Sequence, residues 1–154
     1  MPLTDILHPD CVKVPLEAAD KKSVIFELID MLASGGYIED TESLRDAVWQ
    51  REQTRTTGIG HGLAIPHGKS DSCDKLAMAV GKPAQPIDFD AIDKKPVYVV
   101  FLLVSPVDQT GPHIQALARI SRLMTSEAFR TSVHDAGTSE ALYELLANSP
   151  EEVP

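Results

Sequence analysis

Two histidines stand in a glycine-rich segment of this 154-residue chain, and a third follows in a different context. Residues 57–68 read TGIGHGLAIPHG, which places His61 and His67 six positions apart, and His113 lies in the later segment TGPHIQAL. A neutral imidazole can act as a nucleophile, whereas three imidazoles brought together can bind zinc. The residue types therefore leave two kinds of chemistry open: transfer of a group onto a histidine, and metal binding.

The glycines of this segment give the backbone unusual freedom around the two histidines. Glycine adopts positive φ and lets another backbone or an anion approach closely. Pro66 cannot donate a ladder hydrogen bond, so we predict a strand over 63–65 that ends at Pro66 or lies at a sheet edge. His67 is then expected at the strand end, on the adjoining loop, where reactive residues often lie. The alternative is a tight structural turn with an uninvolved histidine. The glycines concerned are Gly58, Gly60, Gly62 and Gly68.

Two further features are compatible with the binding of a phosphoryl group. His113 stands at the predicted start of a helix, where the helix N-terminus favours a neutral imidazole that could hydrogen-bond a phosphoryl oxygen. Arg51 and Arg55 stand at the end of an earlier predicted helix, and a guanidinium can bind such a group through two hydrogen bonds. From the residues alone, His113 could equally fill a loop–helix junction, and the arginines could simply face solvent.

Hydrophobic periodicity predicts the elements that must position these residues. The run at 97–104 is rich in Val, Tyr and Phe and lacks polar alternation, which is typical of a strand buried on both faces. Helices with strands between them predict an α/β domain whose helices pack around a central sheet. The order of the strands in that sheet cannot be predicted from this pattern. The predicted helices are 16–34, a second from Asp40 or Thr41 to about 51–55, one with Pro112 in its first turn, and two short ones at SEAFRTSV and TSEALYELLAN; the other predicted strands are 63–65 and 76–80.

Composition and charge narrow the range of functions and cellular locations that the protein could have. The net charge is −9, which disfavours binding to a nucleic-acid backbone. Cys11 and Cys73 have no spacing typical of a disulfide framework or a zinc knuckle, which suggests a reducing compartment. The chain start lacks a secretory pattern, and the longest apolar run, at 97–104, is too short to span a bilayer. We therefore expect a cytoplasmic protein without membrane insertion.

The residues from Glu52 onward resemble a known motif, Glu52-x6-Ile59-Gly60-x2-Leu63-Ala64-Ile65-Pro66-His67-Gly68. It is similar to the phosphohistidine motif of enzyme IIA proteins of the phosphoenolpyruvate-dependent phosphotransferase system, in the mannitol/fructose/nitrogen-regulatory class. Arg51 and His113 fall where that family keeps its active-site arginine and its second active-site histidine. The resemblance covers most of the chain, and TTGIGxGLAIPHGK looks most like the nitrogen-regulatory type.

The resemblance implies a fold, a reaction and partners. The fold would be a single domain over 1–154, with a mixed central β-sheet flanked by helices, a core at about 3–148 and a frayed tail at 149–154. His67 would be phosphorylated on Nε2 by a small histidine phosphocarrier protein, and His113 and Arg51 would stabilise the transferred group. No metal or cofactor is needed, because the donor is already an activated phosphoramidate. Regulatory protein targets or an enzyme IIB are the further partners implied.

Three alternatives remain open at this point. The protein could be the fructose- or mannitol-type enzyme IIA component of a sugar transporter, or a regulatory binding module that makes little use of phosphorylation. A zinc site from His61, His67 and His113 is the third, although His-x5-His on a glycine loop is not a typical ligand spacing. His61 stands where the family usually has an acidic or amide residue; it is either a solvated loop residue or a titratable donor near the phosphoryl group.

Overall fold

The computed structural model describes residues 2–150, which form one mixed six-stranded sheet with five α-helices packed against it. The mixed central sheet flanked by helices is therefore confirmed. Along the chain, a short 3-10 helix at Leu3–Asp5 precedes the elements β1 Leu7–Leu16, α1 Lys21–Ser34, α2 Thr41–Thr54, β2 Gly58–Gly60, β3 Leu63–Ala64, β4 His67–Lys69, β5 Ala77–Pro83, β6 Val99–Ser105, α3 Thr110–Leu123, α4 Glu127–Asp135 and α5 Ser139–Ala147.

Strand β6 is the centre of the sheet. The order is β1-β5-β6-β3-β2, and β4 pairs with β6 as well. β5 runs antiparallel to β6, whereas β3 and β4 both run parallel to it. All seven residues of β6 are buried, and helices α1 and α3 both pack against it. The prediction of a strand buried on both faces is confirmed, although the strand begins at Val99 instead of residue 97.

The segment that carries His67 differs from the prediction of a strand that ends at Pro66. Leu63 pairs with Val99 and His67 pairs with Leu103, so pairing resumes after Pro66 without a change of register. Pro66 has no N–H to donate, but its carbonyl oxygen accepts a hydrogen bond from the backbone N–H of Leu103 at 3.0 Å. The placement of His67 on a loop was therefore wrong: His67 is the first residue of β4.

No element predicted from the sequence corresponds to strand β1. The first predicted element is a helix that begins at residue 16. β1 lies at the edge of the sheet, parallel to β5. Its prolines, Pro9 and Pro15, are compatible with an edge strand. A proline there can turn the side that lacks an N–H away from the sheet, so no hydrogen bond between strands is lost. Helix α1 begins only at Lys21, where the Asp20 side chain accepts a hydrogen bond from the N–H of Ser23.

The remaining helices agree with the predictions. The Asp40 side chain caps α2 by accepting from the N–H of Ser43 at 3.1 Å, and α2 ends at Thr54. The predicted strand 76–80 corresponds to the longer β5, and the three C-terminal helices are α3, α4 and α5. Ser149 donates a hydrogen bond to the Leu146 carbonyl, whereas the predicted tail residues 151–154 lie outside the described residues. Among residues 2–150, no helix combines the length and apolar character needed to cross a bilayer.

Candidate active site

Gly68 allows helix α2 to lie directly against β4. A Cβ atom at this position would lie 2.9 Å from Val48 Cγ2 and 3.2 Å from the Val48 backbone nitrogen, closer than side chains pack. The contact carries the last turn of α2, with Arg51, to the side of His67. The result is a groove between α2 and α3, called the His67 groove below, which is lined by Arg51, His67, Lys69, Thr110 and His113.

The hydrogen bond of His67 to its own backbone defines which ring nitrogen is free. Nδ1 of this half-buried ring lies 2.9 Å from the carbonyl oxygen of Ile65. A carbonyl oxygen can only accept, so Nδ1 carries the proton and donates. The lone pair of the neutral ring is therefore on Nε2, the nitrogen that an electrophile in the groove would meet.

His113 lies beside His67 as the sequence suggested. The two ring centroids are 5.3 Å apart and the rings are nearly perpendicular. His113 stands in the first half of α3, is 4% exposed, and places Nδ1 2.7 Å from the hydroxyl of Ser105. The end of β6 and the start of α3 thus hold one ring of the pair, and β4 holds the other.

Both histidines are held in the neutral form at pH 7. Burial lowers the pKa of His113 to about 4, and the neighbouring His67 and Lys69 act in the same direction. Burial also lowers the pKa of His67; the charges of Arg51 and Lys69 add to this effect, while the hydrogen bond to Ile65 opposes it. A neutral His67 keeps its Nε2 lone pair available for attack on an electrophile.

The depressed pKa of His113 predicts a specific loss of stability in mild acid. Between pH 6.5 and 4 the unfolded chain binds a proton at His113 and the folded protein does not, so unfolding becomes more favourable as the pH falls. From pH 7 to pH 5 the free energy of unfolding of the wild type should fall by about 2 kcal/mol more than that of His113→Gln. Urea unfolding of both proteins at the two pH values measures this; equal falls would contradict the burial of a neutral His113.

Arg51 lines the His67 groove, whereas Arg55 does not. The Nη1 group of Arg51 donates to the backbone carbonyl of Arg55 at 2.9 Å, which holds the guanidinium at the end of α2. Arg51 lines the His67 groove and also an adjoining depression that contains His67. Arg55 is exposed and lines only the depression. The geometry therefore separates the two arginines in the same way as the motif spacing.

Lys69 and Thr110 also line the groove, and the sequence-based reasoning missed both. The Lys69 ammonium donates to the Thr110 hydroxyl at 2.9 Å, which connects β4 to the first residue of α3. A signal for Lys69 was present, because alternate residues of a strand point to the same face and Lys69 follows His67 by two. Thr110 had no such signal, because its position depends on how α3 packs.

Glu52 fixes the end of α2 to the glycine segment from inside the protein. Its side chain is buried, accepts a hydrogen bond from the Thr57 N–H at 2.8 Å, and forms an ion pair with Lys21 Nζ at 3.0 Å. A buried carboxylate needs such partners to offset its loss of water. Glu52 therefore holds residue 57 close to the helix turn that carries Arg51.

His61 lies away from the other two histidines. It occupies a turn between β2 and β3 with a φ of 58°, next to Gly60 and Gly62, whose φ angles are also positive. Leu63 and His67 pair with residues four apart on β6, which separates them by about 13 Å, and His61 lies beyond Leu63. The three imidazoles of the proposed zinc site are therefore not brought together. Within residues 2–150 no group of three metal-ligating side chains is arranged to hold a metal ion.

Exposed isoleucines surround the two histidines. Ile59, Ile92 and Ile114 are 43%, 55% and 59% exposed, respectively. The first two line the depression beside Arg51, and Ile114 lines the His67 groove. Exposed apolar side chains grouped around polar ones are typical of a surface that another protein covers.

The sequence comparisons with known proteins agree with one another. Residues 5–149 match the family model of the phosphoenolpyruvate-dependent sugar phosphotransferase system, EIIA 2. The nitrogen regulatory protein of Bradyrhizobium diazoefficiens is 34% identical over 152 residues, which cover 97% of each chain. The fructose-specific EIIA component of Haloferax volcanii is 33% identical over 150 residues, which cover 96% of this chain and 97% of that protein.

Solved structures show the same fold. The nitrogen regulatory protein IIA-Ntr of Neisseria meningitidis superposes with a TM-score of 0.86 at 26% identity, over 94% of this chain and 98% of that one. Mannitol enzyme IIA of Escherichia coli, solved in complex with phosphorylated mannitol enzyme IIB, gives a TM-score of 0.78 at 19% identity, over 94% of this chain and all of that one. At that lower identity the likeness shows the fold alone.

Proposed function

Because this chain belongs to the type 2 EIIA family of the phosphoenolpyruvate-dependent sugar phosphotransferase system, we propose that it accepts a phosphoryl group on Nε2 of His67. The family relationship makes the protein a phosphoryl-transfer component in general terms. The observation that carries the finer proposal is the hydrogen bond from His67 Nδ1 to the Ile65 carbonyl, which leaves the Nε2 lone pair free. The proposed donor is the phosphohistidine of a small phosphocarrier protein.

The proposed step is an in-line displacement at phosphorus. Nε2 of His67 forms a new P–N bond while the P–N bond to the donor histidine breaks, and the donor imidazole leaves with that electron pair. Nδ1 of His67 keeps its proton and its hydrogen bond to Ile65 throughout. The reaction exchanges one phosphoramidate for another, so the proposal requires no metal and no cofactor.

Arg51 and His113 are proposed to stabilise the charge on the moving group. The Arg51 guanidinium borders the groove from α2, and His113 borders it from α3 beside the His67 ring. Hydrogen-bond donors that are already in place when charge develops lower the barrier because no reorganisation is needed at that moment. Lys69, on the same strand as His67, adds a second positive charge for the dianionic product.

Arg51→Ala should slow phosphoryl transfer about a hundredfold and leave the protein folded. Loss of one preorganised donor to a developing charge costs on the order of 3 kcal/mol. His113→Ala is expected to have an effect of similar size. Rapid-quench measurement of transfer from the phosphorylated carrier, with circular dichroism as the folding check, gives these rates.

Arg55→Ala is the matched control, because it removes an exposed guanidinium and retains the backbone carbonyl that holds Arg51. Its transfer rate should stay within a few-fold of the wild type. Equal losses from the two arginine variants would contradict the assignment of Arg51.

The exposed isoleucines are the proposed docking surface for the donor and for the next partner. Ile59 and Ile92 line the depression that contains His67 and Ile114 lines the adjoining His67 groove, so a partner seated on all three would cover the groove. An enzyme IIB is a candidate for that next partner, because a neighbour of this fold was solved in complex with phosphorylated enzyme IIB. A histidine phosphocarrier protein would use the same surface earlier in the sequence of transfers.

We propose a nitrogen-regulatory role ahead of a sugar-specific one. The structure is more similar to IIA-Ntr than to mannitol enzyme IIA in both TM-score and identity. The sugar-specific role is the second candidate, because a fructose-specific EIIA component is 33% identical over nearly its whole length. Transfer from the phosphorylated protein to enzyme IIB domains of the same cell decides between the two roles: rapid transfer to one of these domains indicates the sugar-specific role.

The proposal also includes a single domain over 1–154 and a cytoplasmic location, both of which are expected from the sequence.

A further inference from the structure

We infer that Ser105 is a positioning residue that fixes the tautomer of His113, so that His113 presents an Nε2–H donor to the His67 groove. The inference rests on the proposed function for its consequence in catalysis, and its structural part stands on geometry. Ser105 is the last residue of β6, is fully buried, and contacts His113 through its hydroxyl at 2.7 Å.

The direction of this hydrogen bond follows from the surroundings of Ser105. The contact with His113 is the only hydrogen bond of the Ser105 hydroxyl to another group within residues 2–150. If His113 Nδ1 donated to the hydroxyl oxygen, the hydroxyl proton would be buried without an acceptor, which carries a full desolvation cost. If the hydroxyl donates to Nδ1, both groups are satisfied.

A neutral ring carries one proton, so the direction of the bond sets the tautomer. With Nδ1 accepting from Ser105, the proton of His113 is on Nε2. The two adjacent histidines then have opposite tautomers, because His67 is protonated on Nδ1. His67 offers a lone pair, which can attack phosphorus, and His113 offers an N–H, which can donate to a phosphoryl oxygen.

The other tautomer would work against the transfer. His113 lines the groove together with His67, and its Nδ1 is occupied by Ser105, so Nε2 is the ring nitrogen left for the groove. A lone pair on that nitrogen would repel the oxygens of the incoming phosphoryl group instead of stabilising them. Ser105 touches neither the donor nor the reacting atoms and therefore acts only through His113.

The sheet keeps Ser105 in a defined position relative to His67. Ser105 pairs with Lys69 in the parallel register of β4 and β6, and its carbonyl accepts from the Ser70 N–H at 3.0 Å. The pairing of β4 with β6 therefore holds Ser105, the hydrogen-bond partner of His113, at the end of the strand that lies beside His67.

Heteronuclear NMR of the imidazole nitrogens in the unphosphorylated wild-type protein tests the tautomer directly. We expect His113 Nε2 to be protonated and Nδ1 to be an acceptor, opposite to His67. A His113 ring protonated on Nδ1 would overturn the inference. The measurement needs no phosphoryl donor, so it establishes or refutes the tautomer even if the proposed function fails.

Kinetics of Ser105 variants test the catalytic consequence. Ser105→Ala should slow transfer from the phosphorylated carrier roughly three- to tenfold, the value of one hydrogen bond, with an unchanged KM for the carrier. Ser105→Thr, which retains the hydroxyl, should keep most of the rate. Ser70→Ala is the matched control: it removes a buried hydroxyl, just after the end of β4, that contacts Ser43 and Ser72 and neither histidine.

A Ser105→Ala variant that transfers as fast as the wild type would overturn the positioning role. The same holds if Ser70→Ala is slowed equally, because the effect would then come from loss of a buried hydroxyl in general. A wild-type protein that accepts no phosphoryl group would instead refute the proposed function, and the NMR result would still establish or refute the tautomer.

Discussion

His67→Ala is expected to gain no phosphoryl group under conditions in which the wild type gains one. The structure gives the reason, since His67 is the residue of the groove whose Nε2 lone pair is free, whereas Nε2 of His113 is assigned a proton. The loss should be complete within detection instead of partial, because the other imidazole of the groove, that of His113, presents an N–H there and not a lone pair. Intact mass measurement after incubation with phosphoenolpyruvate, enzyme I and the carrier is the assay.

His61→Ala serves as the matched control for that result. It removes the other histidine of the glycine segment, which is exposed in a turn and lies beyond the far end of β3 from His67. This variant should be phosphorylated at the wild-type rate and with the same pH dependence between about pH 6 and 7.5. A His67→Ala protein that still gains one phosphoryl group would require a different acceptor.

Val100→Asp should unfold the protein. Val100 lies in the middle of β6, is fully buried, and pairs with Ala64 on one side and Gly81 on the other. An ionised carboxylate there has no partner, and an uncompensated buried charge costs about 3–5 kcal/mol in addition to the lost packing. That approaches the total stability of an ordinary domain, about 5–15 kcal/mol, so insoluble or unfolded protein is the expected outcome.

Val107→Asp makes the same change at an exposed position. Val107 is 56% exposed in the loop after β6, and its replacement should leave the unfolding temperature near that of the wild type. Thermal unfolding followed by circular dichroism compares the two variants. Native-like unfolding of Val100→Asp would contradict the central position of β6.

The features that could be predicted from the sequence are local in the chain or carried by a long motif. Asp40 caps α2 through residues three positions away, and the burial of β6 follows from its own composition. The proximity of His67, Arg51 and His113 could be inferred because the motif and its spacings match a family. None of these inferences required knowledge of which strand lies beside which.

The features that could not be predicted depend on non-local pairing. β1 contains two prolines and no clean alternation of polar and apolar residues, and it is a strand because β5 offers an edge beside it. His67 begins a strand because β4 resumes the register of β3 along β6. Ser105 and Thr110 meet the site only through the packing of β6 and α3, so no local pattern marks them.

His61 shows the limit of spacing arguments within a single segment. A regular strand from 61 to 67 would have placed both histidines on one face. Instead, positive φ angles at Gly60, His61 and Gly62 make a turn that directs the chain into β3, so His61 and His67 lie at opposite ends of the segment. The backbone freedom of the glycines, which is visible in the sequence, is what prevents one regular strand from 61 to 67.

The central claim is that His67 Nε2 receives a phosphoryl group from a histidine phosphocarrier protein. The most direct measurement is incubation of the wild-type protein with phosphoenolpyruvate, enzyme I and the carrier, followed by intact mass and by NMR of the modified ring. We predict the mass of one added phosphoryl group, which is labile in acid and stable in alkali, with phosphorus bonded to Nε2 of His67. No added mass, or a phosphoryl group on Nδ1 or on another residue, would contradict the claim.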